Sequence, residues 1–388
     1  SGAAPVTRFD ASGFKTRFAC EVKGFDPLSH FDRKEARHLD LFVQYGLVAA
    51  QEAVAHSAVD FEKVNRARCG VIFSSGIGGF QTFENEMEFF LKGDRKPRFN
   101  PYFITKIIAN GLAGALSIRY GLKGINTCPV TACASSNQAL VDAFNQVRWG
   151  KADLIIAGGA EAPITPVGIG GFNAMKALSV NNDQYATASR PFDKTRDGFV
   201  VGEGAAALVV ESLDHALERG ALILGEILGG GQAADAYHIT STHPEGEGAF
   251  LAIRESIEEA QVPVSEIGYL NAHATSTGPG DLSEIKALKR VFGDHLSGLA
   301  VSATKSMTGH LLGAAGALEA IIALLAVRDG IIPPTINTRD LDESIPADFH
   351  LVREKALSRE LKYALNNSFG FGGHCAALLL GKYSEGSD

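Results

Sequence analysis

The 388-residue chain lacks features that mark several common classes of protein. No segment reaches the roughly 18 uninterrupted apolar residues that a membrane helix needs, because residues 311–327, the longest candidate, contain Glu319. Asp and Glu number 44 against 36 Lys and Arg, and this net charge of −8 argues against a nucleic-acid-binding protein. We therefore expect no membrane span and no nucleic-acid partner.

The cysteines lack the spacing of a metal site or of a disulfide framework. They are odd in number and irregularly placed, and no Cys-x-x-Cys pair occurs. No basic segment followed by an apolar run opens the chain, so no secretory signal peptide is visible. These features favour a reducing, cytoplasmic setting and predict no bound metal. The five are Cys20, Cys69, Cys128, Cys133 and Cys375.

The chain is longer than one ordinary hydrophobic core requires, so two domains or two fused halves are expected. Strand-like apolar segments at residues 69–74, 153–159 and 204–211 alternate with helical patterns such as residues 137–149, which is typical of an α/β fold. The 43 glycines indicate many tight turns.

A weak internal repeat supports the division into halves. Residues 201–211 resemble residues 372–381, since each is a glycine turn leading into an apolar strand. We interpret this as two related halves, 1–212 and 213–388, that share a large interface. Chance similarity between two small-residue strands is the alternative.

Cys133 is the first candidate for chemistry. It lies in residues 129–136, Pro-Val-Thr-Ala-Cys-Ala-Ser-Ser, between a short apolar segment and a predicted helix. A helix N-terminus lowers a thiol pKa, and the backbone N–H of Cys133 is a candidate oxyanion donor. The alternative is a buried cysteine that packs as a small apolar residue, and this segment alone does not decide between the two.

Two histidines occupy matching positions after predicted strands. His273 follows residues 267–271, and His310 ends the turn that begins at Lys305. A lone histidine is usually structural, but two at strand ends, together with a cysteine on a small-residue turn, favour covalent acyl chemistry. Thr275 and Thr277 add hydroxyls that can hold a polar substrate tail.

Residues 366–373, Asn-Asn-Ser-Phe-Gly-Phe-Gly-Gly, alternate aromatic residues with glycines. This pattern indicates a flexible loop in which Phe371 covers an apolar channel and moves aside. The alternative is a turn at the start of a strand, with the aromatic ring packed in the core.

Taken together, these motifs resemble the β-ketoacyl-acyl carrier protein synthases, and in particular the type II condensing enzymes of the thiolase superfamily that extend long acyl chains. The resemblance covers almost the whole chain. It rests on residues 132–136, 188–193, 196–200, 273–277, 305–316 and 367–373. The set of one cysteine and two histidines separates the chain from initiating synthases and from thiolases.

The resemblance implies a thiolase-like α/β fold, a five-layer αβαβα sandwich of two duplicated halves. The N-terminal half would carry the nucleophile and the C-terminal half both histidines. The family begins with a strand that precedes Ser1 in this comparison, so we expect the N-terminal half to lack its first strand. A homodimer is also implied.

The resemblance further implies an acyltransferase that elongates fatty acids by two carbons. Cys133 would hold the acyl group as a thioester, and the N–H groups of Cys133 and Phe371 would form its oxyanion hole. His273 and His310 would bind the malonyl thioester oxygen during loss of CO2. Lys305 would act with them as an active-site lysine.

Other roles follow from the same resemblance. The predicted substrate-binding residues are Thr275, Thr277, Phe369 and Glu319, and Glu319 would also act electrostatically around His310. Acyl carrier protein would be the partner and would deliver phosphopantetheine, with no separate cofactor. A structural monovalent cation near Asn271 and Asn366 is also suggested. The predicted carrier-docking residues are Lys34, Arg37 and Lys176.

Two alternatives use the same motifs. A polyketide-type ketosynthase would share every catalytic residue and differ in its acyl preference. A silent partner subunit that sets chain length would lack the nucleophilic cysteine, so the presence of Cys133 argues against it.

Overall fold

The computed structural model describes residues 1–384. Two main β-sheets, one drawn from each half of the sequence, are covered and separated by helices. The strands are β1 (Ala4–Pro5), β2 (Phe18–Ala19), β3 (Cys69–Ser74), β4 (Asn126–Thr127), β5 (Leu154–Glu161), β6 (Gly204–Glu211), β7 (Glu226–Ala234), β8 (Ile267–Asn271), β9 (Ala300–Ser302), β10 (Ile331–Ile332), β11 (Leu357–Ser358), β12 (Tyr363–Gly370) and β13 (His374–Gly381). The helices are α1 (Arg33–His38), α2 (Leu41–Ser57), α3 (Phe80–Lys92), α4 (Phe103–Ile107), α5 (Gly111–Tyr120), α6 (Ser135–Arg148), α7 (Pro166–Ala174), α8 (Leu213–Glu218), α9 (Glu247–Ala260), α10 (Gly278–Phe292), α11 (Lys305–Thr308) and α12 (Ala315–Asp329).

The two main sheets share one strand order. The first runs β4-β3-β5-β6 and the second runs β9-β8-β12-β13-β7. In each, a central parallel pair (β3 with β5, β8 with β12) is extended on one side by an antiparallel strand, β6 or β13. The similar segments found in the sequence lie in β6 and β13, which are equivalent strands. This confirms the predicted duplication.

Helices form three further layers. Helices α2 and α5 cover the outer face of the first sheet, α6 and α12 lie between the two sheets, and α9 and α10 cover the second sheet. Helix α12 is rich in alanine, and Ala317, Ala320 and Ala323 are fully buried in the middle layer. Short side chains allow this helix to approach both sheets closely. The predicted five-layer sandwich is therefore confirmed.

The outer edge of β6 differs from the equivalent edge of β13. Strand β7 pairs along the whole of β13, whereas within residues 1–384 β6 has a partner on only one edge. A groove of about 630 Å³ runs beside β6, and most side chains of the strand are half-buried as a result. Among residues 1–384, no helix combines the length and the apolarity that spanning a bilayer requires.

The two central helices begin in the same unusual way. A short 3-10 turn precedes each: Ala132–Ala134 before α6 and Leu312–Ala314 before α12. Ala132 and Leu312 both adopt the left-handed conformation, each with φ of 49°. Such a backbone persists in a residue with a side chain only where its surroundings hold it. We call these segments the first turn and the second turn.

Candidate active site

A cavity of about 480 Å³ opens where loops from both halves meet. Cys133 reaches it from the first turn, and His273 and His310 reach it from loops of the other half. The three residues that the sequence singled out, which lie up to 177 positions apart in the chain, therefore line one space. The lining residues considered below are Lys176, Phe199, Thr275, Thr277, Phe369 and Phe371.

Cys133 is buried, with 8% of its surface exposed, and α6 begins two residues after it. Burial raises the pKa of its thiol to about 12, while the charge of Lys305 and the N–H groups of Phe371 and Cys133 lower it by less. The expectation of a lowered thiol pKa is therefore wrong for this closed cavity. The lack of water outweighs the effect of the helix N-terminus.

Two backbone N–H groups converge on the sulfur of Cys133. One belongs to Phe371, in the turn between β12 and β13, and the other to Cys133 itself. Gly370 permits this arrangement, because a Cβ atom there would lie 2.4 Å from the carbonyl oxygen of Thr131 and 3.0 Å from the nitrogen of Cys133. Two neighbouring N–H donors are what an oxyanion hole requires.

The two imidazole rings contact each other edge to face at the cavity wall. Their centroids are 5.4 Å apart, and His273 also lies 5.5 Å from the ring of Phe369. His310 makes a similar contact with Phe199, at 5.2 Å. Aromatic neighbours on both sides restrict the rotation of the two imidazoles, so their nitrogen atoms are held in place.

Both histidines are uncharged at neutral pH. Burial, and then the positive charge of Lys305, lower the pKa of His273 and that of His310 well below 6.5, and His310 adds to the effect on His273. Lys305 is itself buried and lies 2.6 Å from Glu319 Oε1. Glu319 thus lies behind Lys305, in α12, and is not among the residues that line the cavity.

A carboxylate that the sequence did not single out holds the His273 loop. Glu284, in α10, accepts hydrogen bonds from the N–H groups of His273 (3.0 Å) and Ala274 (2.9 Å). The side-chain amide of Asn367 donates a third, at 3.0 Å. Nothing in the sequence around Glu284 separates it from the other charged residues of α10, so only the fold reveals this contact.

Three of the four predicted substrate-binding residues line the cavity, and Glu319 does not. The hydroxyls of Thr275 and Thr277 are 3.1 Å apart and line the cavity, as does Phe369. They form a polar strip beside an aromatic wall. Phe199 belongs to that wall, and the sequence analysis did not identify it as a site residue.

The three predicted docking residues are exposed, but only one borders the cavity. Lys176 follows α7 and lines the cavity, whereas Lys34 and Arg37 lie on α1 and outside the lining. The Lys106 side chain donates to the Arg37 carbonyl at 3.2 Å, so a further cation accompanies α1. Within residues 1–384, no group of three or more His, Cys, Asp or Glu side chains is arranged to hold a metal ion.

Two family profiles match most of the chain, up to residue 339. The profile described as "Beta-ketoacyl synthase, N-terminal domain" matches residues 2–216, and "Beta-ketoacyl synthase, C-terminal domain" matches residues 224–339. Among curated relatives, "3-oxoacyl-[acyl-carrier-protein] synthase 2" from Coxiella burnetii is 46% identical over 98% of this chain and 92% of its own length. The protein of the same name from Vibrio harveyi is 45% identical over 99% and 92%.

Solved structures give the same result. A chain of "the ishigamide ketosynthase/chain length factor" superimposes with a TM-score of 0.91 at 33% identity, and a beta-ketoacyl synthase from Burkholderia phymatum with 0.90 at 31%. A type II polyketide ketosynthase solved with its acyl-carrier protein gives 0.90 at 29%. Each alignment covers 99% of this chain and 92% of the other. The chain belongs to the β-ketoacyl synthase family and has its thiolase-like fold.

Proposed function

We propose that this protein is a 3-oxoacyl-[acyl-carrier-protein] synthase that elongates fatty acids by decarboxylative condensation. The observation that carries the proposal is the meeting of one buried thiol, two N–H donors and two uncharged imidazoles in a single cavity. The 45–46% identity to curated synthases of this activity supports it.

The first step is acyl transfer to Cys133. The sulfur attacks the thioester carbonyl of an acyl carrier protein, and the N–H groups of Phe371 and Cys133 bind the oxygen as it becomes negative. The bond to the phosphopantetheine sulfur then breaks. The proton lost from Cys133 ends on that leaving sulfur, so the products are an acyl-cysteine and a free carrier thiol.

The second step is condensation. His273 and His310 donate hydrogen bonds to the thioester oxygen of malonyl-carrier protein, which carries the negative charge once CO2 has left. Their low pKa values leave each imidazole neutral, with one N–H to donate. The resulting carbanion attacks the acyl-cysteine carbonyl, the bond to Cys133 breaks, and a β-ketoacyl-carrier protein leaves two carbons longer.

The carrier protein is the proposed partner in both steps. A solved relative holds a type II polyketide acyl-carrier protein, which supports a similar contact here. Lys34, Arg37 and Lys176 supply positive charge on an otherwise acidic protein, and Thr275 with Thr277 offers hydroxyls to the phosphopantetheine arm. Electrostatic attraction would orient the carrier before its arm enters the cavity.

A polyketide-type ketosynthase is the second candidate function. The observation in its favour is the close superposition on a type II polyketide ketosynthase, at 29% identity. The higher identity to fatty-acid-type relatives favours elongation of fatty acids. A silent chain-length subunit is disfavoured by the presence of Cys133 in the cavity.

Further proposals concern the state of the protein in the cell. A homodimer is supported by large exposed apolar side chains on and beside α3 and α4, among them Phe89, Leu91 and Ile104. A cytoplasmic setting is supported by the five unpaired cysteines. The domain boundary near residue 212 is likewise a proposal.

A monovalent cation is consistent with the residues on β12. Asn366 Oδ1 and Ser368 Oγ are buried, have no hydrogen-bond partner within residues 1–384, and point to the same face because they are two positions apart. Oxygen atoms of this kind are what alkali cations bind. We propose Asn366 and Ser368 as ligands, where a cation would add positive charge to the middle layer.

Intact-protein mass spectrometry tests the proposed function. The protein is incubated with a medium-chain acyl-carrier protein and then with malonyl-carrier protein. We expect one acyl adduct on Cys133, which malonyl-carrier protein discharges as a product two carbons longer. Cys133→Ala should form no adduct, whereas Cys69→Ala, which removes a buried thiol outside the cavity, should form it normally.

The same experiment distinguishes the two candidate functions. A fatty-acid synthase should accept a saturated acyl group and release a single elongation product. A polyketide-type enzyme should instead extend a β-keto product repeatedly without its reduction. An adduct that persists in the folded Cys133→Ala variant would contradict both assignments.

A further inference from the structure

The carboxylate of Glu161 lies against the second turn, in a position similar to the one that a substrate oxygen would take against the first turn. Glu161 is the last residue of β5 and is buried, with 1% of its surface exposed. Its Oε1 atom accepts hydrogen bonds from the Ser75 hydroxyl and from the N–H groups of Gly76 (2.6 Å) and Ile77 (3.3 Å), so these three donors converge on one carboxylate oxygen. The N–H of Gly313 also lies against this carboxyl group and helps to lower its pKa.

The internal duplication of the chain explains why the two turns resemble each other. Cys133 is the middle residue of the first turn, and Gly313 is the middle residue of the second. In the first turn, the N–H of Cys133 and that of Phe371 converge on the reactive sulfur. In the second, the N–H of Gly313 joins those of Gly76 and Ile77 around Glu161. The second turn therefore builds a similar set of donors and fills it with a carboxylate of its own chain.

The loop that Glu161 binds, residues 75–77, lies between the two turns. A Cβ atom on Gly76 would be 3.3 Å from the carbonyl oxygen of Ala132 and 3.6 Å from the Cα atom of Gly313. The backbone at Gly76 is therefore in close packing with both turns. Any movement of this loop would displace Ala132, the left-handed residue that precedes the nucleophile.

The same loop also shapes the apolar surroundings of Cys133. Ile77 packs against the cluster that contains Cys133, Phe199 and Leu312. Glu161 is thus connected to the nucleophile by packing, through the carbonyl of Ala132 and the side chain of Ile77, and its charge also adds to the raised pKa of the Cys133 thiol. It touches no atom that reacts in the proposed mechanism.

We propose that Glu161 is a positioning residue for acyl transfer. It holds loop 75–77 and the second turn, and through them it keeps the first turn, which carries Cys133, in place. The inference rests on the proposed function of Cys133 as the acyl acceptor. It predicts that loss of the carboxylate slows acylation of Cys133 and spares the histidine-dependent loss of CO2. Glu161 has no hydrogen bond to His273, and the backbone of His310, two residues before the second turn, is held separately by hydrogen bonds with Val200 (2.8 Å) and Gly202 (2.9 Å).

The test compares Glu161→Gln with Glu203→Gln. Glu203 is a matched control, since it is also a buried carboxylate at the β5–β6 end of the first sheet, but it binds Arg8, Tyr45 and the Val22 N–H. Acylation is followed by intact mass over time. Malonyl decarboxylation is measured separately with each substitution placed in the Cys133→Gln background, where no acyl transfer occurs.

For Glu161→Gln we expect the acylation rate to fall about 10- to 100-fold, the scale of a small displacement of a reacting group. Decarboxylation should change less than about twofold, because the interactions made in that transition state remain. Glu203→Gln should lower the melting temperature, but it should not slow acylation more than it slows decarboxylation. Equal losses in both half-reactions, or acylation by Glu161→Gln at the wild-type rate, would overturn the proposal.

Ser75→Ala provides a second variant in case Glu161→Gln does not fold. It removes one donor to Glu161 without leaving a buried charge unpaired. We expect a selective fall in acylation of about 2- to 10-fold, in proportion to one hydrogen bond of this type. Unchanged acylation in folded Ser75→Ala would also overturn the proposal. A wild-type protein that forms no adduct would refute the proposed function instead.

Discussion

The ammonium group of Lys305 lies 2.6 Å from Glu319 Oε1, and both side chains are buried in the middle layer of the sandwich. The Lys305 charge adds to burial in lowering the pKa of His273 and that of His310. Glu319 pairs with this charge, so the core holds no isolated charge at this position. The ion pair thus helps to keep both imidazoles neutral.

Replacement of this ion pair should raise the pKa of both histidines. In the double variant Lys305→Met/Glu319→Met, the positive charge no longer opposes protonation of the imidazoles, so the pKa of each should move up towards 6.5, while burial still holds it below that value. Nuclear magnetic resonance of 15N-labelled imidazoles as a function of pH measures the change.

Glu319→Gln is the control for the double variant. It retains the Lys305 charge, so the pKa values of His273 and His310 should not rise. An equal rise in the control and in the double variant would show that Glu319, and not the lysine charge, determines the protonation of the histidines.

Cys133→Gln should end condensation but keep malonyl decarboxylation. The glutamine removes the sulfur that we propose as the acyl acceptor, while the two histidines proposed to bind the malonyl thioester oxygen remain in the cavity. Release of CO2 from malonyl-carrier protein is the measurement. Addition of His273→Ala to this variant should reduce the release about 100- to 1,000-fold, the usual cost of one lost oxyanion donor. Decarboxylation that survives both changes would contradict the assignment.

Reversal of charge at the predicted docking residues should weaken carrier binding. In the triple variant Lys34→Glu/Arg37→Glu/Lys176→Glu, we expect KM for acyl-carrier protein to rise about tenfold or more at low salt, with kcat retained. The salt dependence of KM should also flatten, because fewer opposite charges remain to be screened.

The control for docking is Lys362→Glu. Lys362 immediately precedes β12, at the end opposite Gly370 and Phe371, and pairs with Glu266. Its reversal should leave KM unchanged. A rise in KM for Lys362→Glu in proportion to its charge change, one reversal against three, would point to the net charge of the protein and away from a local docking surface.

Gly370→Ala should disable acyl transfer with little loss of fold. The added Cβ atom would lie 2.4 Å from the Thr131 carbonyl oxygen and 3.0 Å from the Cys133 nitrogen. The first turn and the Phe371 N–H must therefore separate, and a displacement of this size costs on the order of 100-fold in rate. The rate of adduct formation is the measurement. Gly114→Ala, which meets nothing within 4 Å in α5, should acylate normally.

The sequence by itself determined the general plan of the fold and which residues we propose as reactive. Cys133, His273 and His310 each lie in a small-residue segment beside a predicted strand or helix, a pattern that local spacing reveals. The similarity of the β6 and β13 segments likewise revealed the duplication, because equivalent strands keep the same alternation of glycine and apolar residues. These features depend on short stretches of chain.

Only the tertiary structure decided the electrostatics of the site and which buried carboxylates hold its loops in place. The sequence predicted a lowered thiol pKa from the start of one helix, but burial by segments from both halves raises it. Glu161 and Glu284 were missed because their partners lie 84–86 and 10–83 positions away. The free energy of a buried charge depends on everything packed around it, and that environment is complete only when the two halves have come together.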